Sequence, residues 1–207
     1  QVPESSGLPG GGGTDGLCWS THFGGNRSDG ILDASLDGQD NLFVSGHTRS
    51  TPTTLQTQAG FTILNYGAFQ QRALIAGFGN DHSLTWISII GGANTAGPTS
   101  GRTVANAIKA TDTDVFVGGF TEAQDLWTMS AGVGYFDGIS STSMSKGFLA
   151  RFDNATGTLS WSTYFGDGPS EITGLDIDAA DRLVICGNST NDLPSPPAQL
   201  AGATVLP

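Results

Sequence analysis

The sequence predicts an all-β fold: about three four-stranded antiparallel sheets, the blades of a partial or oligomer-completed β-propeller. Three observations carry this. Short apolar runs alternate with turns rich in Gly, Ser and Thr, and glycine reaches 31 residues in 207. No segment shows sustained helical periodicity. One strand-turn-strand signature recurs three times in order, which sandwiches do not usually show.

The repeat is anchored by a tryptophan strand. Its copies are Leu17–Gly25, Leu84–Gly92 and Leu159–Asp167. In the first, Leu17, Trp19, Thr21 and Phe23 share one face; in the third, Leu159, Trp161, Thr163 and Phe165 do. Period-two alternation with a large aromatic on one face is the pattern of a packed strand.

Two further strands follow each tryptophan strand. In the first copy they are Ile31–Leu36 and Leu42–Thr48, joined by the turn Asp37–Asn41. In the second they are Val104–Ile108 and Val115–Thr121, in the third Ile172–Ile177 and Leu183–Ser189. Turns this short require antiparallel hairpins. A fourth strand, Ala73–Phe78 or Gly147–Phe152, precedes the next tryptophan strand. The segments Arg49–Gln71 and Glu122–Lys146 read as long loops, and Ala93–Arg102 as a further variable loop. Blade-like units therefore lie near 16–82, 83–157 and 158–207, within one repeat region 16–207. Residues 1–15 read as a flexible N-terminal arm or linker, rich in Pro, Ser and Gly.

Charge narrows the function classes. Eight Lys and Arg face 19 Asp and Glu, a net charge of −11. Nucleic acid requires a basic stripe to neutralise phosphates, and none is present. The same acidity disfavours an anionic membrane surface. No apolar run reaches the length of a membrane span. Gln1 opens directly in polar sequence without a signal-peptide pattern, as a mature secreted chain and an excised fragment both would.

Candidate chemistry is sparse. His22, His47 and His82 lack metal-ligand spacing and read as surface or turn residues. Asp37, Asp40, Asp178, Asp181 and Asp153 sit in turns. A calcium role needs clustered oxygen ligands, and hairpin Asp residues that bond their own backbone explain these positions better. Cys18 and Cys186 read as buried thiols, with a disulfide as the alternative. Asn26, Asn154 and Asn188 open glycosylation sequons that chance alone would supply. No nucleophile elbow, phosphate loop or marked carboxylate pair appears, so no catalytic, cofactor-binding or metal residue is assigned and no cofactor is expected. Trp127, Tyr135 and Phe136 read as loop aromatics packed on their own sheet, with grip on a partner or sugar ring as the alternative.

The combined pattern resembles the bacterial SBBP repeat, a β-propeller repeat. The residues that carry it are Trp19–Gly25, Asp37–Thr48, Gly147–Asp153, Trp161–Asp167 and Asp178–Ser189, and the likeness spans about residues 16–193. The middle copy departs from it, with Ile87, Ile89 and Ile90 in the tryptophan strand. The resemblance implies many-bladed discs in secreted or cell-surface bacterial proteins. It implies no activity, and its repeat residues are structural.

Three units do not close an ordinary ring of about 4–8 blades. The first copy lacks a fourth-type strand before Trp19, and the third stops before its own. Two readings follow: a piece of a longer propeller, or identical chains that complete a ring or fibre. The expected role is a non-catalytic extracellular scaffold or interaction module. Its partners are other proteins or further blades at exposed sheet edges, with variable loops as binding surface. A self-assembling filament subunit and a carbohydrate-binding or carbohydrate-cleaving propeller are the alternatives.

Overall fold

The computed structural model describes residues 19–55, 60–64, 71–92, 101–132, 137–138, 145–166 and 168–190. The fold is all-β, built from antiparallel sheets with a blade-like arrangement. The first sheet contains β1 (Asp29–Leu36), β2 (Leu42–Thr48), β4 (Arg72–Phe78) and β5 (Leu84–Ile90), in that order. The second contains β6 (Thr103–Ala110), β7 (Asp114–Thr121), β8 (Lys146–Asp153) and β9 (Leu159–Phe165). The third pairs β10 (Ser170–Ile177) with β11 (Leu183–Ser189).

Each tryptophan strand follows the third strand of its unit through a hairpin; β9 ends its sheet, and β5 is followed only by the short β3 (Gly60–Leu64). The polar turn before it is tight: the Gly79 amide donates to Ser83 O, and that of Asp153 to Thr158 O. Such hairpins fix antiparallel pairing of β5 on β4 and of β9 on β8.

One irregularity repeats in every sheet. The first strand carries an extra residue, with register shifts between Ile31 and Asp33, between Ala105 and Ala107, and between Ile172 and Gly174. Opposite each bulge stands a glycine: Gly46, Gly119 or Gly187. A Cβ there would overlap the carbonyl oxygen of Gly30, Val104 or Glu171. The bulge brings the two backbones together, and only glycine fits.

The repeat's hydroxyl residue has an equally local cause. Thr121 Oγ1 shares a hydrogen bond with Thr103 Oγ1 across the strands and accepts the Ala123 amide. In the first sheet Thr48 Oγ1 donates to Asp29 and accepts the Ser50 amide.

Consecutive sheets pack face to face. β6 crosses β1, β2 and β4, and β10 crosses β6, β7 and β8. A buried cluster joins the first two sheets through Phe43, Ile75, Trp86, Ile90, Ile108 and Phe148. Polar contacts fix the angle. The Ile108 amide donates to Asp33 Oδ2 at 2.9 Å, and that of Ala110 to Ser35 Oγ at 3.0 Å. Lys109 Nζ pairs with Asp176 at 2.8 Å between the second and third sheets.

Three expectations are corrected. Residues 19–25 form no strand, and among the described residues no neighbouring strand is placed for them to pair with. They lie instead against the first sheet, with Trp19 and Phe23 edge-on to Phe78. The segment Arg49–Gln71 is not only loop: it holds a 3₁₀ turn (Pro52–Thr54) and β3 (Gly60–Leu64). β3 pairs parallel with β5 and covers its outer edge, which removes a template for unwanted pairing. Cys186 is exposed rather than buried. It occupies the place of Ser45 and Gly118, which the following sheet covers, and no described sheet follows the third.

Candidate interaction surface

The titratable candidates are engaged in structure. The Asp37 carboxylate accepts the Gln39 and Asn41 amides on one oxygen and Asn41 Nδ2 and Asn154 Nδ2 on the other. Burial alone would raise its pKa, but these donors outweigh it and hold the group below the usual carboxylate range. Asp178 repeats the device with the Ala180 and Arg182 amides and the Arg182 guanidinium. That guanidinium pulls its pKa down to about 2. Asp40 and Asp181 are the left-handed residues of the same turns, at φ 61° and 57°. Asp153 accepts the amide and hydroxyl of Thr156. These bonds account for the turn aspartates as hairpin devices.

The histidines lie apart in role. His22 is exposed in the segment before β1. His82 is left-handed in the β4–β5 turn, at φ 67°, and stacks on Trp19 with ring centroids 5.0 Å apart. His47 ends β2. Burial lowers its pKa, against the opposing pull of Asp29, and its Nδ1 has no hydrogen-bond partner among the described residues. Among the described residues no group of three His, Cys, Asp or Glu is placed to hold a metal ion.

Asn154 is buried and donates to Asp37 and to Thr111 O, so its sequon is closed in the fold. Asn26 is exposed, with its Oδ1 held by Thr54, and Asn188 is exposed on β11. Trp127 is half-exposed, and its carbonyl accepts Ser162 Oγ at 2.6 Å. Cys18, Tyr135 and Phe136 lie outside the described residues.

The loop Glu122–Lys146 is partly committed to its own sheet. Met129 and Ser162 form a two-bond bridge, and the Tyr164 amide donates to Asp137 O. Tyr164 is fully buried; its hydroxyl donates to Ala123 O at 2.8 Å and accepts the Leu126 amide at 2.9 Å. Burial raises its pKa to about 12.

The surface that stands out is the pair of open ends. Ile31, Ala105 and Ile172 hold one repeat position, each opposite the bulge glycine. Ala105 is 0% exposed and Ile172 2%, each against the preceding sheet, while Ile31 is 43% exposed. Leu36 likewise is 57% exposed where Ala110 is buried. At the far end Val184 is half-exposed, whereas Phe43, at the same repeat position, is buried against Trp86 and the next sheet. The sequence points to open sheet edges at the first and last copies; the exposed faces of β1 and β11 are a different surface, and the bulge shifts which residues face the neighbour.

No protein-family model matches the chain, and no curated protein matches it. Among the described residues no helix is long and apolar enough to cross a membrane.

Proposed function

We propose that the chain is a non-catalytic extracellular or cell-surface interaction module made of β-propeller repeats. One observation carries the reading: apolar positions buried between sheets inside the stack are exposed at both of its ends. Ile31 and Leu36 at one end, with Val184 at the other, form faces built to the same pattern as the internal interfaces. Such faces engage partners that continue the stack. The extracellular placement comes from the resemblance to the secreted repeat family.

The test uses an array of purified secreted and surface proteins, probed with the intact chain and with an I31D/L36D/V184D variant. Retention of partners by the parent and loss by the folded variant is the expected result. Turnover of a glycan or ester, abolished by one carboxylate change, overturns the reading.

A second reading, a self-assembling filament subunit, is favoured by one feature. The two ends, in the first and third repeats, follow one repeat pattern, so the front of one copy matches the back of another in kind. Head-to-tail contacts of this sort build open assemblies when the rotation does not close. Light scattering across concentration tests it, and a strictly monomeric species counts against it.

A further inference from the structure

We propose that the edge of β11 that pairs with no described strand, with the groove beside it, accepts one extended strand from another polypeptide. The strand is of defined chemistry: a cation, a small residue, a Leu or Phe seated opposite Gly187, then an aliphatic residue and an alanine. This inference rests on the interaction-module reading and names the partner at one of its ends.

The groove has a volume of about 140 Å³ and is lined by Phe165, Ile172, Ile185 and Gly187, among others. It lies where the two complete sheets hold their third strand. In those sheets the residue opposite the bulge glycine is large and apolar: Leu74 faces Gly46, and Phe148 faces Gly119. Both are 0% exposed. Each shares a buried cluster with the residue that closes the preceding tryptophan segment, Leu74 with Phe23 and Phe148 with Ile90. Phe165 is the corresponding residue before the third sheet, and it forms a wall of the groove. The glycine leaves the space and the phenylalanine lines it.

The backbone is equally suited. Among the described residues β11 pairs only with β10. β2 and β7, its counterparts, each pair on that second edge with an antiparallel strand, β4 or β8. Both incoming strands begin with a cation, Arg72 opposite Thr48 and Lys146 opposite Thr121, and both cations are buried. Both place alanine, Ala76 or Ala150, opposite Val44 or Val117. Ile185 is the β11 counterpart of those valines. Main-chain bonds along an open edge supply affinity, and a side-chain pocket supplies selectivity. A cationic strand also suits a chain of net charge −11.

The probe is a labelled synthetic peptide, KGFLARFD, identical to Lys146–Asp153, titrated into the intact chain. Fluorescence anisotropy reads binding, and amide hydrogen exchange reads Leu183–Ser189. Saturable binding with slowed exchange in β11 is expected. The peptide carrying Phe148→Asp loses affinity by about tenfold or more, the effect of removing one buried aromatic. Because that change is in the peptide, it leaves the folding of the chain untouched. Absence of saturable binding, or equal binding of the two peptides, overturns the proposal. So does protection of β11 without peptide. Protection at every concentration assigns the groove to the chain's own segment 191–207, and protection that grows with chain concentration assigns it to a second copy. Partners retained on the protein array by a chain that ignores the peptide leave the interaction-module reading standing and remove only the strand acceptor.

Discussion

The indole of Trp86, from the first sheet, lies directly on Gly157, from the β8–β9 turn of the second. Gly157 has φ +66°, and a Cβ there would overlap the ring. The indole nitrogen donates to Asn154 O at 2.7 Å, and Ser88 Oγ donates to Gly157 O at 2.6 Å. The tryptophan of one sheet is thus completed by a turn of the next. His82 takes the place of Gly157 one repeat earlier, and it is Trp19 that stacks on it.

Gly157→Ala therefore meets two penalties, left-handed strain and overlap with a buried ring. Strain contributes about 1–2 kcal/mol, and forced repacking adds ~1–3 kcal/mol. Gly132 separates them, since it has φ +81° with nothing within 4 Å of an added Cβ. Gly132→Ala should cost only the strain, about 1–2 kcal/mol. Urea unfolding of both variants checks this, and equal losses would show that the Trp86 contact contributes nothing.

Acid should act on the fold through Asp29. Its carboxylate accepts bonds from the Gly25 amide and the Thr48 and Ser50 hydroxyls. Burial alone would raise its pKa, but these donors hold it below the ordinary value. A depressed carboxylate stabilises the fold above the unfolded pKa and loses that contribution as pH falls through its folded value. Stability should thus decline below about pH 4. Asp29→Ala should cost ~1–3 kcal/mol at pH 7 by leaving donors unmet, and should flatten that decline. Denaturation midpoints from pH 2 to 7 measure both effects.

Alkali should act on Tyr164. Its folded pKa is raised to about 12 from an ordinary 10.0. Below pH 10 both states are protonated. Above it the unfolded state releases the proton first, so stability falls between about pH 10 and 12. Tyr164→Phe should lower stability at pH 7 by ~1–3 kcal/mol, since Leu126 N and Ala123 O lose their partner. It should also weaken the alkaline decline. An unchanged alkaline limb in the variant would assign the loss to other groups.

Much of this was legible in the sequence because the repeat reports local constraints three times. The hairpin aspartates bond amides two to four residues away, and the turns that lead into β5 and β9 close within a few residues. The bulges were not legible, since each glycine opposite them answers a carbonyl on the facing strand. What escaped reading depends on neighbours distant in sequence. Residues 19–25 alternate like a strand, yet alternation records which face packs and not whether a partner strand exists. β3 hides in a loop because a parallel pairing with β5 carries no turn signal. Cys186 and Ile31 sit in apolar strands, and their exposure follows only from the position of their sheets in the stack.

That last point gives the sharpest test of the open ends. Ile31 and Ile172 occupy one repeat position with the same side chain, one exposed and one buried against Gly118. Their substitution by serine should therefore diverge. Ile172→Ser removes a fully buried side chain and introduces a hydroxyl without a built partner, at a cost of about 2–4 kcal/mol. Ile31→Ser changes a side chain already in contact with water, and exposed sites shift stability by about 0.5 kcal/mol or less. Chemical unfolding of the isolated chain reads the difference. Raising the chain concentration extends the test. If copies associate through β1, Ile31→Ser becomes costly as association sets in, because the face is then buried as it is in the second and third sheets. A cost that stays small at every concentration means the face is open in the isolated chain and waits for a different partner.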